Sequence, residues 1–234
     1  MSAKKCILLF IKSPETGMVK SRLARDVNES MALSLYKHFV LDILQTMQTS
    51  RYPLKICYYP PDALEKVSAW LGKGYSYTPQ NGKDLGERMK NAFLEAFSGG
   101  FTPVVLVGSD IPDLTGSIAD KALDLNPYDA VIGPSHDGGY YLIGFKQDTF
   151  IPAIFEKMPW GTDKVFRKTM TFFRKKNYTV HILPERRDID RIEDLMAFAE
   201  RKRNTGFADS GTMLFIRNNC EALFGKIKNP KKIR

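Results

Sequence analysis

The chain has 234 residues, 43% of them hydrophobic and 26% charged, with a formal net charge of +9. That length suits one α/β domain, or one domain with a small appendage, and no apolar run approaches the roughly 18 residues of a membrane span. The opening stretch, Met-Ser-Ala-Lys-Lys-Cys-Ile-Leu-Leu-Phe-Ile, has too short an apolar core for a secretory signal and runs directly into a strand. Cys6, Cys57 and Cys220 show neither paired nor metal-ligand spacing, so they read as reduced core thiols of a cytoplasmic protein. Much of the excess positive charge lies in Arg201-Lys202-Arg203 and in the tail 226–234. Such runs are usually solvated ends, and without a recognition motif beside them nucleic acid is not an expected partner.

In chain order, residues 4–11 form a first predicted strand. The segment Lys12-Ser13-Pro14-Glu15-Thr16-Gly17-Met18-Val19-Lys20-Ser21-Arg22-Leu23 follows as a loop entering a helix, because Pro14 and Gly17 interrupt any regular element. Backbone amides freed by Gly17, together with Lys12, Lys20 and Arg22, suit a polyphosphate, although a plain basic surface loop fits the same spacing. Neither a Walker loop nor a Gly-x-Gly-x-x-Gly fingerprint is present. A long helix capped by Asn28 or Ser30 runs to about residue 49, with Met31, Leu35, Phe39, Ile43 and Met47 on its core face and His38 off that stripe. A strand at 54–59, a helix at 62–71 and a short strand at 75–79 come next. The loop Gln80-Asn81-Gly82-Lys83-Asp84 then opens a helix through Phe93 and Phe97. An amide such as Gln80 can read a nucleotide base, since it both donates and accepts. Asp84 is a natural cap, and Arg88 reaches back from the first turn or pairs with a carboxylate.

Pro103-Val104-Val105-Leu106-Val107 reads as a buried central strand, because a strand covered on both faces needs no polar alternation. It ends in Gly108-Ser109 and presents Asp110 at once. Ligands of open α/β sheets bind beyond the carboxyl ends of the strands, so a carboxylate there is placed to hold a hard cation and a phosphate; a turn cap reads equally well from spacing alone. A helix at 115–123 with Thr115 or Ser117 as cap and a strand at 130–133 lead to Ser135-His136-Asp137-Gly138-Gly139, a hairpin-like turn. Its second glycine suggests close approach of backbone to another group. His136 reads as a loop residue before a general base. Residues 150–158 are irregular, and Pro159-Trp160-Gly161-Thr162 precedes a helix to about residue 176 with Thr162 as cap. After a strand at 178–183, Asp190 and Glu193 fit a capping box. Asp188, not needed for that cap, is the better candidate for a second metal carboxylate. An amphipathic segment covers 212–224, ahead of the basic tail.

The stretches 12–23, 80–89, Gly108-Ser109-Asp110-Ile111-Pro112-Asp113-Leu114, 133–144, Pro159-Trp160-Gly161-Thr162 and 188–195, in this order, resemble a bacterial family of uncharacterised glycosyltransferase-A-like proteins in the nucleotide-diphospho-sugar transferase superfamily. The resemblance implies a Rossmann-like three-layer α/β/α sandwich with a mostly parallel mixed sheet over 1–205, followed by a helical extension and basic tail at 206–234. It also implies a nucleotide sugar or nucleoside triphosphate as partner, an unknown small-molecule acceptor, and Mg²⁺ or Mn²⁺ as cofactor; a homodimer is compatible with it. Asp110 and Asp137 are then the candidates for chemistry, Asp110 and Asp188 for the metal. Lys12, Gly17, Lys20, Arg22, Gln80, Gly82, Arg88, Gly138 and Gly139 are the candidates for binding the nucleotide and the transferred group. Many sugar transferases carry Asp-x-Asp where this chain has Gly-Ser-Asp, which leaves one carboxylate there. The layout also resembles guanylyltransferases, so release of pyrophosphate from a nucleoside triphosphate is the alternative reaction. A non-catalytic nucleotide-binding protein is a third reading.

Overall fold

A computed structural model describes residues 4–225; the basic tail at 226–234 lies outside the described residues. Seven strands form one sheet: β1 (Lys4–Lys12), β2 (Leu54–Tyr59), β3 (Ser76–Pro79), β4 (Phe101–Val107), β5 (Ala130–Pro134), β6 (Tyr140–Phe145) and β7 (Val180–Ile182). The order is β3-β2-β1-β4-β6-β5-β7. β6 runs antiparallel to both its neighbours, while the other pairings are parallel. The chain moves outward from β1 to β2 and β3, then returns to place β4 on the other side of β1. That reversal opens a crevice at the carboxyl ends of β1 and β4.

The helices are α1 (Ser21–Val27), α2 (Glu29–Met47), α3 (Leu64–Leu71), α4 (Leu85–Ser98), α5 (Gly116–Ala122), α6 (Val165–Lys175), α7 (Ile192–Lys202), α8 (Gly211–Asn218) and α9 (Cys220–Phe224), with a 3₁₀ turn at Pro152–Phe155 inside the segment expected to be irregular. Alternation along β1 explains the layers. Ile7, Leu9 and Ile11 face one hydrophobic cluster with Tyr36, Val40 and Ile43 of α2. Cys6, Leu8 and Phe10 face the other, with Phe93 and Phe97 of α4 and Phe173 of α6. Successive strand residues point to opposite sides, so a strand apolar throughout must be covered twice. A third cluster joins Leu35 and Phe39 of α2 to Leu195 and Phe198 of α7, Met213 and Ile216 of α8 and Leu223 of α9. The amphipathic segment near the end of the chain is thus two helices bedded on α2.

Local signals set several boundaries. The Asn28 side chain accepts from Met31 N and starts α2, and Asp84 accepts from Glu87 N and starts α4. Three expectations need correction. Asp190 does not cap α7; Asp194 Oδ2 instead accepts from the backbone N–H groups of Asp190 (3.3 Å) and Arg191 (3.0 Å). Thr162 does not cap α6, which starts at Val165, and its hydroxyl donates to Pro159 O at 2.8 Å. Cys220 is only half-buried, unlike Cys6 and Cys57. His38 stacks near Phe215 of α8, ring centroids 5.0 Å apart, and so is covered by the third cluster.

Candidate active site

Three loops at the carboxyl edge of the sheet are stitched together by backbone hydrogen bonds. Ile189 N donates to Asp110 O at 3.1 Å, joining the loop after β4 to the loop before α7. Arg186 N donates to Pro134 O at 3.0 Å and His136 N to Arg186 O at 2.9 Å, joining that same loop to the β5–β6 turn. Residues far apart in sequence, near 110, 137 and 188–190, therefore meet. They line a cavity of about 500 Å³ with Lys12, Lys20, Arg22, Gln80, Arg88 and Gly139.

The carboxylates divide differently from the expectation. Oxygens of Asp137, Asp188 and Asp190 lie within 4.8 Å of one another. Asp110 lines the same cavity, but its Oδ1 is 2.5 Å from Lys20 Nζ. Asp188 thus sits in a trio with Asp190 and with Asp137 from the β5–β6 turn, while Asp110 lines the same cavity. Such a trio presents only hard oxygen donors, the set that suits Mg²⁺ or Mn²⁺. Burial pushes the Asp188 carboxyl up to about 7, and the neighbouring Asp137 and Asp190 add to the shift. A buried carboxyl beside two others shifts upward in this way, and Lys20 offsets only part of it.

Lys20 stands at the start of α1 in the left-handed region (φ 48°), with its side chain 4% exposed. Its ammonium reaches Asp110 Oδ1 at 2.5 Å, Ile189 O at 2.6 Å and Asp190 Oδ1 at 3.3 Å. An ammonium has three donors, and these three acceptors match them. Burial alone would lower the Lys20 pKa, yet Asp110 and Asp190 outweigh it and the net shift is upward. Lys20 therefore fastens the loops rather than standing free for a phosphate. Arg22, half-exposed, holds Asp190 Oδ2 at 3.1 Å. Arg88 stacks on the Tyr59 ring, 4.1 Å from its centroid, and exposed Lys12 completes the cationic side.

The remaining expected residues separate into two groups. Gln80 lines the cavity, but its amide nitrogen donates to Ile11 O at 3.0 Å and Cys57 O at 2.7 Å, anchoring it to β1 and β2. Gly17, Gly82 and Gly138 do not line the cavity; each has a positive φ and shapes a turn behind it. At Gly138 a Cβ would overlap the backbone of Asp163, and Gly138 O accepts from Phe166 N at 2.8 Å, so α6 leans directly on the turn carrying Asp137. Gly138→Ala is expected to cost about 1–3 kcal/mol from the clash and the strained φ; equality of the two chains in chemical denaturation would contradict that packing. Trp160 lines the cavity edge-on to Tyr140 at 6.3 Å between centroids. No sequence rule marked Asp190 or the Asp137–Asp188 approach, because both depend on contacts across the fold.

Sheet order, reversal point and cleft are those of the nucleotide-diphospho-sugar transferase class of folds. The chain belongs to the DUF2064 family, described as an uncharacterized protein conserved in bacteria, whose profile matches residues 41–162. A crystal structure from Desulfovibrio desulfuricans G20, provisionally assigned as a nucleotide-diphospho-sugar transferase, is 44% identical, with a TM-score of 0.90 over 94% of this chain and 97% of that one. The 4-diphosphocytidyl-2C-methyl-D-erythritol synthase of Anaerococcus prevotii DSM 20548 shares the fold at 12% identity, TM-score 0.54, over 83% of this chain and 94% of that one. So does Rv0371c of Mycobacterium tuberculosis H37Rv, solved in complex with manganese, at 15% identity and TM-score 0.50, over 84% of this chain and 98% of that one. No curated protein matches the chain. Among the described residues no helix is long and apolar enough to cross a membrane.

Proposed function

We propose that this chain is a Mg²⁺- or Mn²⁺-dependent transferase acting on a nucleotide-activated donor, foremost a nucleoside diphosphate sugar. The observation that carries the reading is the meeting of Asp137, Asp188 and Asp190 with Arg22, Arg88 and Lys12 in one cleft at the sheet's reversal point. Asp137, Asp188 and Asp190 would hold the cation. Bound there, a divalent cation neutralises charge on a diphosphate and on the phosphate that leaves. Arg22, Arg88 and Lys12 add donors for phosphate oxygens, and Arg guanidinium suits that geometry. Asp137 is fixed by Ser135 Oγ at 2.6 Å and by Gly139 N at 2.9 Å, so its carboxylate keeps one orientation as substrate enters. Trp160, Tyr140 and Leu85 provide the apolar wall that a base or sugar face can rest on. The likeness to the Desulfovibrio desulfuricans G20 structure and to a manganese-bound fold relative supports the reading.

Calorimetry with UDP-, GDP-, dTDP- and CDP-sugars, with and without Mn²⁺, tests it. Metal-dependent binding of at least one donor is expected, and binding of none would refute the reading. Arg22→Ala should weaken the bound donor about tenfold, the loss expected for charge-assisted hydrogen bonds. Manganese binding by itself should not weaken, since Arg22 competes for Asp190. A second reading, nucleotidyl transfer, is favoured by the single carboxylate after β4 in place of Asp-x-Asp. Release of pyrophosphate from a nucleoside triphosphate distinguishes it.

A further inference from the structure

The loop that carries Asp188 and Asp190 into the cleft has a second face. There Arg186 and Arg187, with Arg201 and Lys202 from the end of α7, line a separate hollow of about 390 Å³. Asp113, Glu185 and His136 share its wall. Four cations and two carboxylates line it, and a third carboxylate, Asp194 Oδ1, lies 4.0 Å from Arg187. The buried Asp113 takes Lys202 Nζ at 2.5 Å and Arg186 at 3.4 Å on the same oxygen, Oδ2. Glu185 Oε1 lies 3.1 Å from His136 Nδ1, and Arg187 lies 3.1 Å from His136 Nε2. Arg187 only donates, so Nε2 accepts and the proton sits on Nδ1, facing Glu185. Arg201 lies over the Phe198 ring at 5.8 Å.

We propose that this hollow is an anion site that takes a phosphate group, as inorganic phosphate or as a phosphomonoester. Asp113, Glu185 and Asp194 offset three of the four positive charges, so the hollow keeps a net positive charge that suits an anionic phosphate. Arg186 keeps donors beyond its contact to Asp113, and Arg187 beyond its contacts to His136 and Asp194, and their planar fork matches phosphate oxygens. The volume leaves room for a small organic group beyond the phosphate. Ile111 lines both this hollow and the cleft, so a phosphate bound here would lie on the far side of the loop that holds the acidic trio. The site depends on no metal.

The test is calorimetry on the full chain in metal-free buffer at fixed ionic strength, with inorganic phosphate, glycerol 3-phosphate and glycerol as titrants. Saturable binding of the two phosphates and none of glycerol is expected. The exposed pair Arg187→Ala and Arg201→Ala, combined in one chain, should weaken phosphate about tenfold or more, whereas Arg22→Ala in the cleft should not. Circular dichroism melting checks that the double variant is folded, and retained manganese binding in it separates this site from the cleft. Tighter binding of glycerol 3-phosphate identifies a phosphorylated small molecule; equal affinities identify the phosphate group alone. Absence of saturable binding, undiminished binding in the double variant, or loss of binding in Arg22→Ala would overturn the proposal.

Discussion

Lys20→Met is expected to lower stability by about 3 kcal/mol and the melting temperature by about 6–12 °C, at about 2–4 °C per kcal/mol for a chain of this length. The ammonium is buried, and three acceptors from two separate loops, Asp110 on one and Ile189 and Asp190 on the other, close on it. Methionine keeps the stem, including its place near the Phe39 ring, and removes only the charge and the donors. Asp110 and Asp190 are then left facing each other with only Arg22 to offset them. Removal of one partner of a fully buried pair costs about 3–5 kcal/mol; Asp110 is 52% exposed and Asp190 30%, so water screens part of the loss and the lower end applies. Adding Asp110→Asn to Lys20→Met should restore part of the stability, because the repulsion goes with the charge. A Lys20→Met chain that melts within about 2 °C of the parent would mean that the pair contributes nothing net, as many exposed pairs do.

The same contact shows where reading the sequence succeeds and where it stops. Strands such as β2 and helices such as α2 and α4 are legible because their signals are local: an apolar run, a stripe at helical spacing, an Asn28 or Asp84 cap. The central strand and the carboxylate after it are legible for the same reason, and the order of motifs carries the fold class. Asp190 was hidden by a local pattern that fits a capping box, while its actual partner Lys20 lies 170 residues away. The N-cap position of α7 is Arg191, and Asp194 in the first turn accepts from the backbone N–H groups of Arg191 and Asp190. Lys20 reads as a phosphate ligand because its loop is basic, yet two carboxylates and a carbonyl use up its donors. Gln80 reads as a base contact, although its amide nitrogen secures two strands. Cations and amides become ligands only when no nearer acceptor of the chain claims them, and that is a property of the folded chain.

Asp188→Asn should raise the stability of the metal-free chain and weaken its response to manganese. Burial, with Asp137 and Asp190 beside it, holds the Asp188 carboxyl at about 7, well above its value of about 3.9 in an unfolded chain. Between those values the folded state binds more protons than the unfolded one, so stability falls as pH rises through the window and stays lowered above pH 7. Asparagine removes that cost. The group is partly exposed, so after screening the expected gain at pH 8 is about 1–2 kcal/mol, visible in urea denaturation of metal-free protein and vanishing near pH 4. The metal response moves the other way. A cation must displace the proton from Asp188, so manganese should stabilise the parent chain more at pH 8 than at pH 5.5. In the asparagine chain one charged ligand of three is gone, and saturation should need about a hundredfold more manganese. A variant that is steadier without metal and far less responsive to it has traded binding for stability, as expected where a fold keeps like charges together for a ligand. An Asp188→Asn chain that is less stable at pH 8, or that still responds to manganese as the parent does, would show that Asp137, Asp188 and Asp190 are not held together for a cation.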